Sequence, residues 1–221
     1  ASDLRVAIES ASVERLSERI ADLGRTTHTG EDNAFYVPTD YCERFGLDPV
    51  AVPLVEGEGV RDYQISTFVE TLFPYDRQTV DVLLDPPPAL LRHMWAFRRL
   101  LRERKDFGNY IEDRGLRWYE HSMFFPQRFR TPVSITFAFV ATHNHFVLDR
   151  GGKVFKQSAP VIKLTAGASE DDHLALLGLL NSSTACFWLK QVCHNRGSTV
   201  DTKGARQTTD AFENFYEFTG T

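Results

Sequence analysis

Four short stretches of this 221-residue chain hold the residues whose types and spacing could do chemistry. "GLRWYEH", residues 115–121, sets Arg117 beside Trp118 and Tyr119, just ahead of a basic, proline-bounded segment with Arg128 and Arg130. A cation next to aromatic rings can line a nucleic-acid groove, although core aromatics with flanking charge are the commoner cause. "HNH" at 143–145 puts two imidazoles on one face if it is a strand. Two are too few for a metal site, so they read as polar side chains at a strand–turn junction. The helical face with Arg98, Arg99, Arg102 and Lys105 is either solvated or a phosphate contact. "HNRGSTVDTKGARQ", residues 194–207, combines Asn195, Arg196, Lys203, Arg206 and Gln207 with Gly197 and Gly204. Those side chains offer donors to phosphates and base edges, and glycine allows close backbone approach. So long a polar segment predicts a functional, mobile loop.

No stretch reads as a catalyst. "DPPP" at 85–88 is similar to the [DNS]PP[YF] motif of amino-methyltransferases, in which an aromatic ring stacks on the flipped base. Pro88 stands at the aromatic position, and no glycine-rich strand–turn–helix precedes it. The stretch therefore predicts a helix entry, with Asp85 as N-cap and proline in the first turn. The G-x-S-x-G, GxxxxGK[ST] and GxGxxG patterns are absent.

These residues must be held by something, and the composition says by what. Apolar residues make up 42% of the chain, with 17 Phe, enough for a true core and too many for a disordered segment. The net charge is −5, against a generic nucleic-acid binder. Its distribution says less: residues 1–91 carry −10, while 92–149 and 150–206 each carry +4. That asymmetry suits one anionic partner on one face. Cys42, Cys186 and Cys193 lack CxxC spacing, and no membrane span or signal-peptide start is visible. Reduced thiols, no membrane and a cytoplasmic location are expected.

Helical spacing of Val13, Leu16, Ile20 and Leu23 predicts a helix over 3–23. A second is expected over about 86–105, with Leu90, Met94, Phe97 and Leu101 as its stripe. "VSITFAFV" and "PVIKLTA" predict strands, and "HFVLDRGGKVF" a hairpin turning at Arg150–Gly151–Gly152. Ser169 and Asp172 cap a helix running through "ALLGLLNSSTACFWLKQV", residues 175–192, with Phe187 and Trp188 as core. The expected fold is α+β: a mostly antiparallel sheet packed against two or more long helices, with an N-terminal helical extension.

Six segments in this order carry a resemblance: "VEGEGVRDYQIS", "FPYD", "GLRWYEH", "ITFAFVATHNHFVLDRGGKVF", "LLGLLNSSTACFWLKQVCHN" and "FYEFTGT". Together they resemble the C-terminal specificity region of large adenine-specific DNA methyltransferases, above all those of BREX phage-defence systems. Eco57I-like restriction–modification enzymes share the weaker general pattern. The resemblance covers roughly residues 35–221, leaving 1–34 as an N-terminal helix and linker. It implies a target recognition domain without catalysis of its own, a fragment of a larger enzyme. Double-stranded DNA, the methyltransferase domain of the same parent and other BREX subunits are the partners it implies. S-adenosylmethionine is implied for the parent, with no cofactor in this chain.

On that reading the DNA-binding candidates are Arg98, Arg99, Arg117, Trp118, Tyr119, Arg128, Arg130, Asn144, His145, Lys153, Asn195, Arg196, Lys203 and Arg206. In this family the "LLNSS" helix packs on the specificity sheet. Asn181 and Ser182 would then bond to backbone at the sheet or a neighbouring loop, a structural role. The alternative function is a protein-interaction module docking to other defence subunits or to a phage inhibitor.

Overall fold

The β-branched and aromatic run "SITF" is apolar enough to be covered on both faces, and it is. The computed structural model describes residues 2–130, 133–198 and 214–218. In it Ser134–Phe137 is an inner strand of a four-stranded antiparallel sheet, ordered Ile20–Gly24, Val161–Leu164, Ser134–Phe137, Phe146–Asp149. Every residue of the two inner strands is buried. The helix Glu170–Leu180 lies against this sheet, and its Leu176 and Leu177 join Ile135, Phe137, Val147 and Ile162 in one core. A second sheet is built on Ala51–Val55, which pairs antiparallel with Val69–Leu72 and parallel with Val154–Phe155. Leu90, Met94 and Leu101 share a core with Phe35, Leu47 and Leu72 at that sheet. The fold is α+β, with antiparallel pairing dominant.

Several expected elements take a different form. The helix over 3–23 is a helix only at Ser2–Ala11 and, for one turn, at Leu16–Arg19. Ile20–Gly24 is instead an edge strand, because pairing with Val161–Leu164 gives its backbone a ladder and half-buries Ile20. Val13, read as part of the helical stripe, is fully exposed. The helix over 86–105 is two helices, Pro88–Trp95 and Arg98–Glu103. A tight turn at Phe97, whose N–H bonds to the Met94 carbonyl (3.0 Å), separates them. Asp85 is not the N-cap, since Pro87 holds that position in extended backbone and Pro88 opens the helix.

"HFVLDRGGKVF" turns where expected but is no hairpin. Gly151 and Gly152 both have positive φ, and the arms they join enter different sheets. "THNH" is a connection rather than a strand, so His143 and His145 do not alternate on one face. No group of three or more His, Cys, Asp or Glu among the described residues could hold a metal. Asn195 and Arg196 lie on a strand, His194–Gly197, paired with Phe215–Glu217. The rest of that expected loop, with Lys203, Arg206 and Gln207, lies outside the described residues.

Three polar residues inside an apolar run are explained by a break in the helix. Glu170–Leu180 ends, and Ser182 caps a new helix, Ser183–Val192, by accepting from the Ala185 N–H (3.1 Å). Asn181, between them, faces the open edge of the strand Phe146–Asp149. Its Oδ1 accepts from Phe146 N (3.0 Å) and its Nδ2 donates to Phe146 O (2.8 Å). One side-chain amide thus supplies both bonds that a further strand would supply. Asn144 reciprocates, donating from Nδ2 to the Leu180 carbonyl (2.5 Å), which the helix leaves without a partner at its end. The break also reorients the second helix. Leu189 and Val192 meet the core, while Trp188, expected in it, is half-buried and donates from Nε1 to Glu9 of the first helix (3.2 Å).

His121 is buried between the short strand Thr27–His28 and the second sheet. Among the described residues its Nε2 faces only the Leu72 carbonyl (2.8 Å), so that nitrogen carries the proton and Nδ1 accepts from the Thr27 hydroxyl. Burial pushes its pKa down to about 4.

Two outcomes follow for stability. Asn181→Ala leaves the Phe146 N–H and C=O without partners and should cost about 2 kcal/mol in a urea melt. Asn181→Asp should cost at least as much at neutral pH, because it keeps the acceptor but sets an oxygen against the Phe146 carbonyl. His121 stays neutral in the fold at pH values where the unfolded chain already binds a proton. Its contribution is therefore complete above the ordinary His pKa, near 6.5, and falls as pH drops toward 4. Stability should decline by roughly 3 kcal/mol over that window, and His121→Gln should remove the decline.

Candidate functional site

Tertiary structure gathers three of the sequence candidates, Arg98, Arg99 and Trp118, on one face of the second core. The tight turn at Phe97 places Trp95, the last residue of one helix, beside Arg98, the first of the next. The Arg98 guanidinium lies 4.7 Å from the Trp95 ring centroid and 6.0 Å from that of Trp118. The two indoles meet edge to face at 6.4 Å. Trp95, Arg98, Arg99, Arg102 and Glu103 line one concavity together with Ala96. Trp95 is 63% exposed, so its outer surface faces solvent, whereas Trp118 is half-buried against the core.

The charges of this face are unequal in their freedom. Arg99 pairs with Glu103 (3.0 Å) and Arg102 with Glu112 (2.9 Å), all four being exposed or nearly so. Such surface pairs contribute little and exchange readily for another anion. Arg98 forms no salt bridge among the described residues and stacks on indole instead. Stacking restricts the guanidinium while its planar donors stay available for a bidentate acceptor, phosphate or base edge. Arg117, exposed, is next to Trp118 in the chain.

Beneath the face sits a buried cation. Arg104, 7% exposed, donates to the carbonyls of Leu101 (2.9 Å), Trp118 (2.8 Å), Glu120 (2.9 Å) and Thr29. No carboxylate among the described residues contacts it directly, and burial lowers its pKa to about 10, so it remains charged at neutral pH. Gly30 takes φ 76° beside it, where a Cβ would run into Ser122 and the Arg104 side chain. Glu120, buried, accepts from the Arg117 N–H (2.7 Å), and burial raises its pKa.

The other candidates are engaged elsewhere. Tyr119 is buried and donates its hydroxyl to the Leu83 carbonyl (2.7 Å). Arg128 grips Asp22 through Nε and Nη2 (2.7 and 2.8 Å), bonds to the Arg25 carbonyl and covers the Phe125 ring. Arg130 donates to the Thr79 carbonyl. Lys153 pairs with buried Asp149 (2.8 Å) at the glycine turn. Asn144 caps a helix as described, and His145 is half-buried, its pKa lowered mainly by burial. Asn195 Oδ1 accepts from Gly197 N (2.7 Å), and Arg196 reaches Glu217 at 3.4 Å. Trp95 is the ring of this face that the sequence reading does not single out. A tryptophan three residues before Arg98 on a helical stretch is the signal that could have found it.

No protein-family model matches the chain. Over 218 residues, 97% of its length, the chain is 41% identical to an adenine-specific methyltransferase, PglX, of Streptomyces coelicolor. It spans 18% of that relative. Nearly the whole chain therefore belongs to a PglX-like protein, of which it represents a segment.

Proposed function

We propose that this chain is the DNA target-recognition segment of a PglX-like, BREX-type adenine-specific methyltransferase. Catalysis and S-adenosylmethionine binding belong to another part of the parent on this reading, and the segment works with that part on double-stranded DNA in the cytoplasm. The observation that carries the reading is the Trp95–Arg98–Trp118 stack. It sets a cation with open donors beside Arg99 and Arg102, on a basic stretch of a chain that is acidic overall. Arg99 and Arg102 would exchange their carboxylates for phosphates, and Arg98 would supply the bidentate contact. No helix among the described residues is long and apolar enough to cross a membrane.

A protein-interaction module is the second reading. Leu84, Trp95 and Leu100 are 71%, 63% and 53% exposed, and apolar side chains of that size suit a protein partner. Salt separates the two: phosphate contacts lose affinity steeply as salt rises, and apolar contacts do not.

The test is equilibrium DNA binding by the full-length parent at several salt concentrations. Arg98→Ala should weaken binding about tenfold and leave the melting temperature unchanged, since it removes a half-exposed side chain. A phosphate contact would flatten the salt slope by about one unit, and a base contact would relax specificity at one position. Wild-type affinity, slope and specificity in the Arg98→Ala protein, with Trp95→Ala equally silent, would remove this face from the DNA interface.

A further inference from the structure

Immediately after the basic helix the chain makes a small hairpin, Lys105–Asp106 paired with Asn109–Tyr110. Its two-residue turn is Phe107–Gly108, both with positive φ (52° and 84°). A turn of this kind favours Asn or Asp followed by Gly. Phenylalanine there carries two local costs. Its backbone sits in the left-handed region, which penalises a residue with a Cβ. The residue is 89% exposed, the most exposed aromatic residue among those described. Strain and apolar exposure at one residue point to a contact the fold itself does not make.

The hairpin holds this ring on a rigid base. Lys105 Nζ lies 4.2 Å from the Tyr110 ring centroid across the two strands. Asp106 accepts from Arg114 (2.9 Å). Ile111, just past the hairpin, is 1% exposed, and its N–H bonds to the carbonyl of buried Arg104 (3.2 Å). The hairpin also adjoins the cationic face, because Arg102, which lines the concavity, grips Glu112 two residues beyond Tyr110. A braced stem thus presents an apolar ring beside guanidiniums able to hold phosphate.

We infer that Phe107 is a wedge that inserts between base pairs of DNA bound at the Trp95–Arg98 face. The inference rests on the DNA-recognition reading and assigns that surface a specificity element. The phosphates flanking the inserted step would lie on Arg99 and Arg102. Selectivity would come from the cost of unstacking, lowest at pyrimidine–purine steps, rather than from hydrogen bonds to base edges.

The experiment uses the full-length parent and a duplex selected for binding to it, with 2-aminopurine placed at successive positions. Its fluorescence rises where stacking is lost. Wild-type protein should raise the signal at one step. Phe107→Ala should abolish the rise and lower affinity about tenfold while keeping the salt slope, because no phosphate contact is lost. Phe107→Trp should retain the rise. Phe107→Gly should lose it yet melt at a slightly higher temperature than wild type, since the left-handed strain is relieved. A rise that survives in Phe107→Ala, or no rise at any step despite tight binding, would overturn the wedge and leave DNA recognition standing. Absence of duplex binding would overturn both.

Discussion

The Arg104 guanidinium is the interaction on which the candidate surface depends. One buried cation draws carbonyls from the Thr29 loop, the end of the basic helix at Leu101, and the aromatic segment at Trp118 and Glu120. The ladder between Thr27–His28 and Met123–Phe124 already joins the first and last of these segments, and Arg104 ties the helix end to both. Four neutral acceptors can hold a charge that burial penalises because each carbonyl dipole points at it. A lysine could not do the same, having a single point of charge in place of a planar fork. Trp118 is thereby brought to within ring contact of Trp95, and the 105–110 hairpin receives its base through the Arg104 carbonyl.

Side-chain substitutes for backbone pairing recur at the other end of the molecule. Asn181 closes the edge of the main sheet at Phe146, and Asn144 closes the helix that Asn181 follows. The two asparagines form a reciprocal clasp between a sheet edge and a helix end, places where polar groups are otherwise orphaned. His121 does similar work inside the second core, bonding the Thr27 hydroxyl and the Leu72 carbonyl. In each case a residue type that elsewhere reads base edges or binds metal is consumed by the fold.

That use of polar residues separates the face near Trp95 from the rest of the surface. Arg128, Arg130, Lys153 and Asn144 have internal partners, so recruiting them to DNA would require breaking bonds the fold relies on. Arg98, Arg99 and Arg102 have a ring or an exposed carboxylate, which a phosphate could replace at small cost. A chain carrying −5 overall can in this way still offer an anion a local positive surface.

Local chemistry was enough to read a good part of the structure from the sequence. The buried strands "SITF" and "VIKL", the Ser169–Asp172 capping box and the turn at Gly151–Gly152 each follow from a few adjacent residues. The α+β class and the PglX-like identity were also legible, the second because six segments kept their order. What tertiary structure alone decided are the partners. Ile20–Gly24 has helical spacing and is a strand because Val161–Leu164 offers it a ladder. Trp188 leaves the core because Asn181 breaks the helix to reach Phe146. Arg104 stands in the same basic run as the exposed Arg99 and Arg102, yet it is buried. Only the folded chain brings Thr29 and Glu120 to it, across 75 and 16 residues of sequence. Hydrogen bonds between distant segments leave no periodic trace along a chain, so residue type and spacing could not assign them.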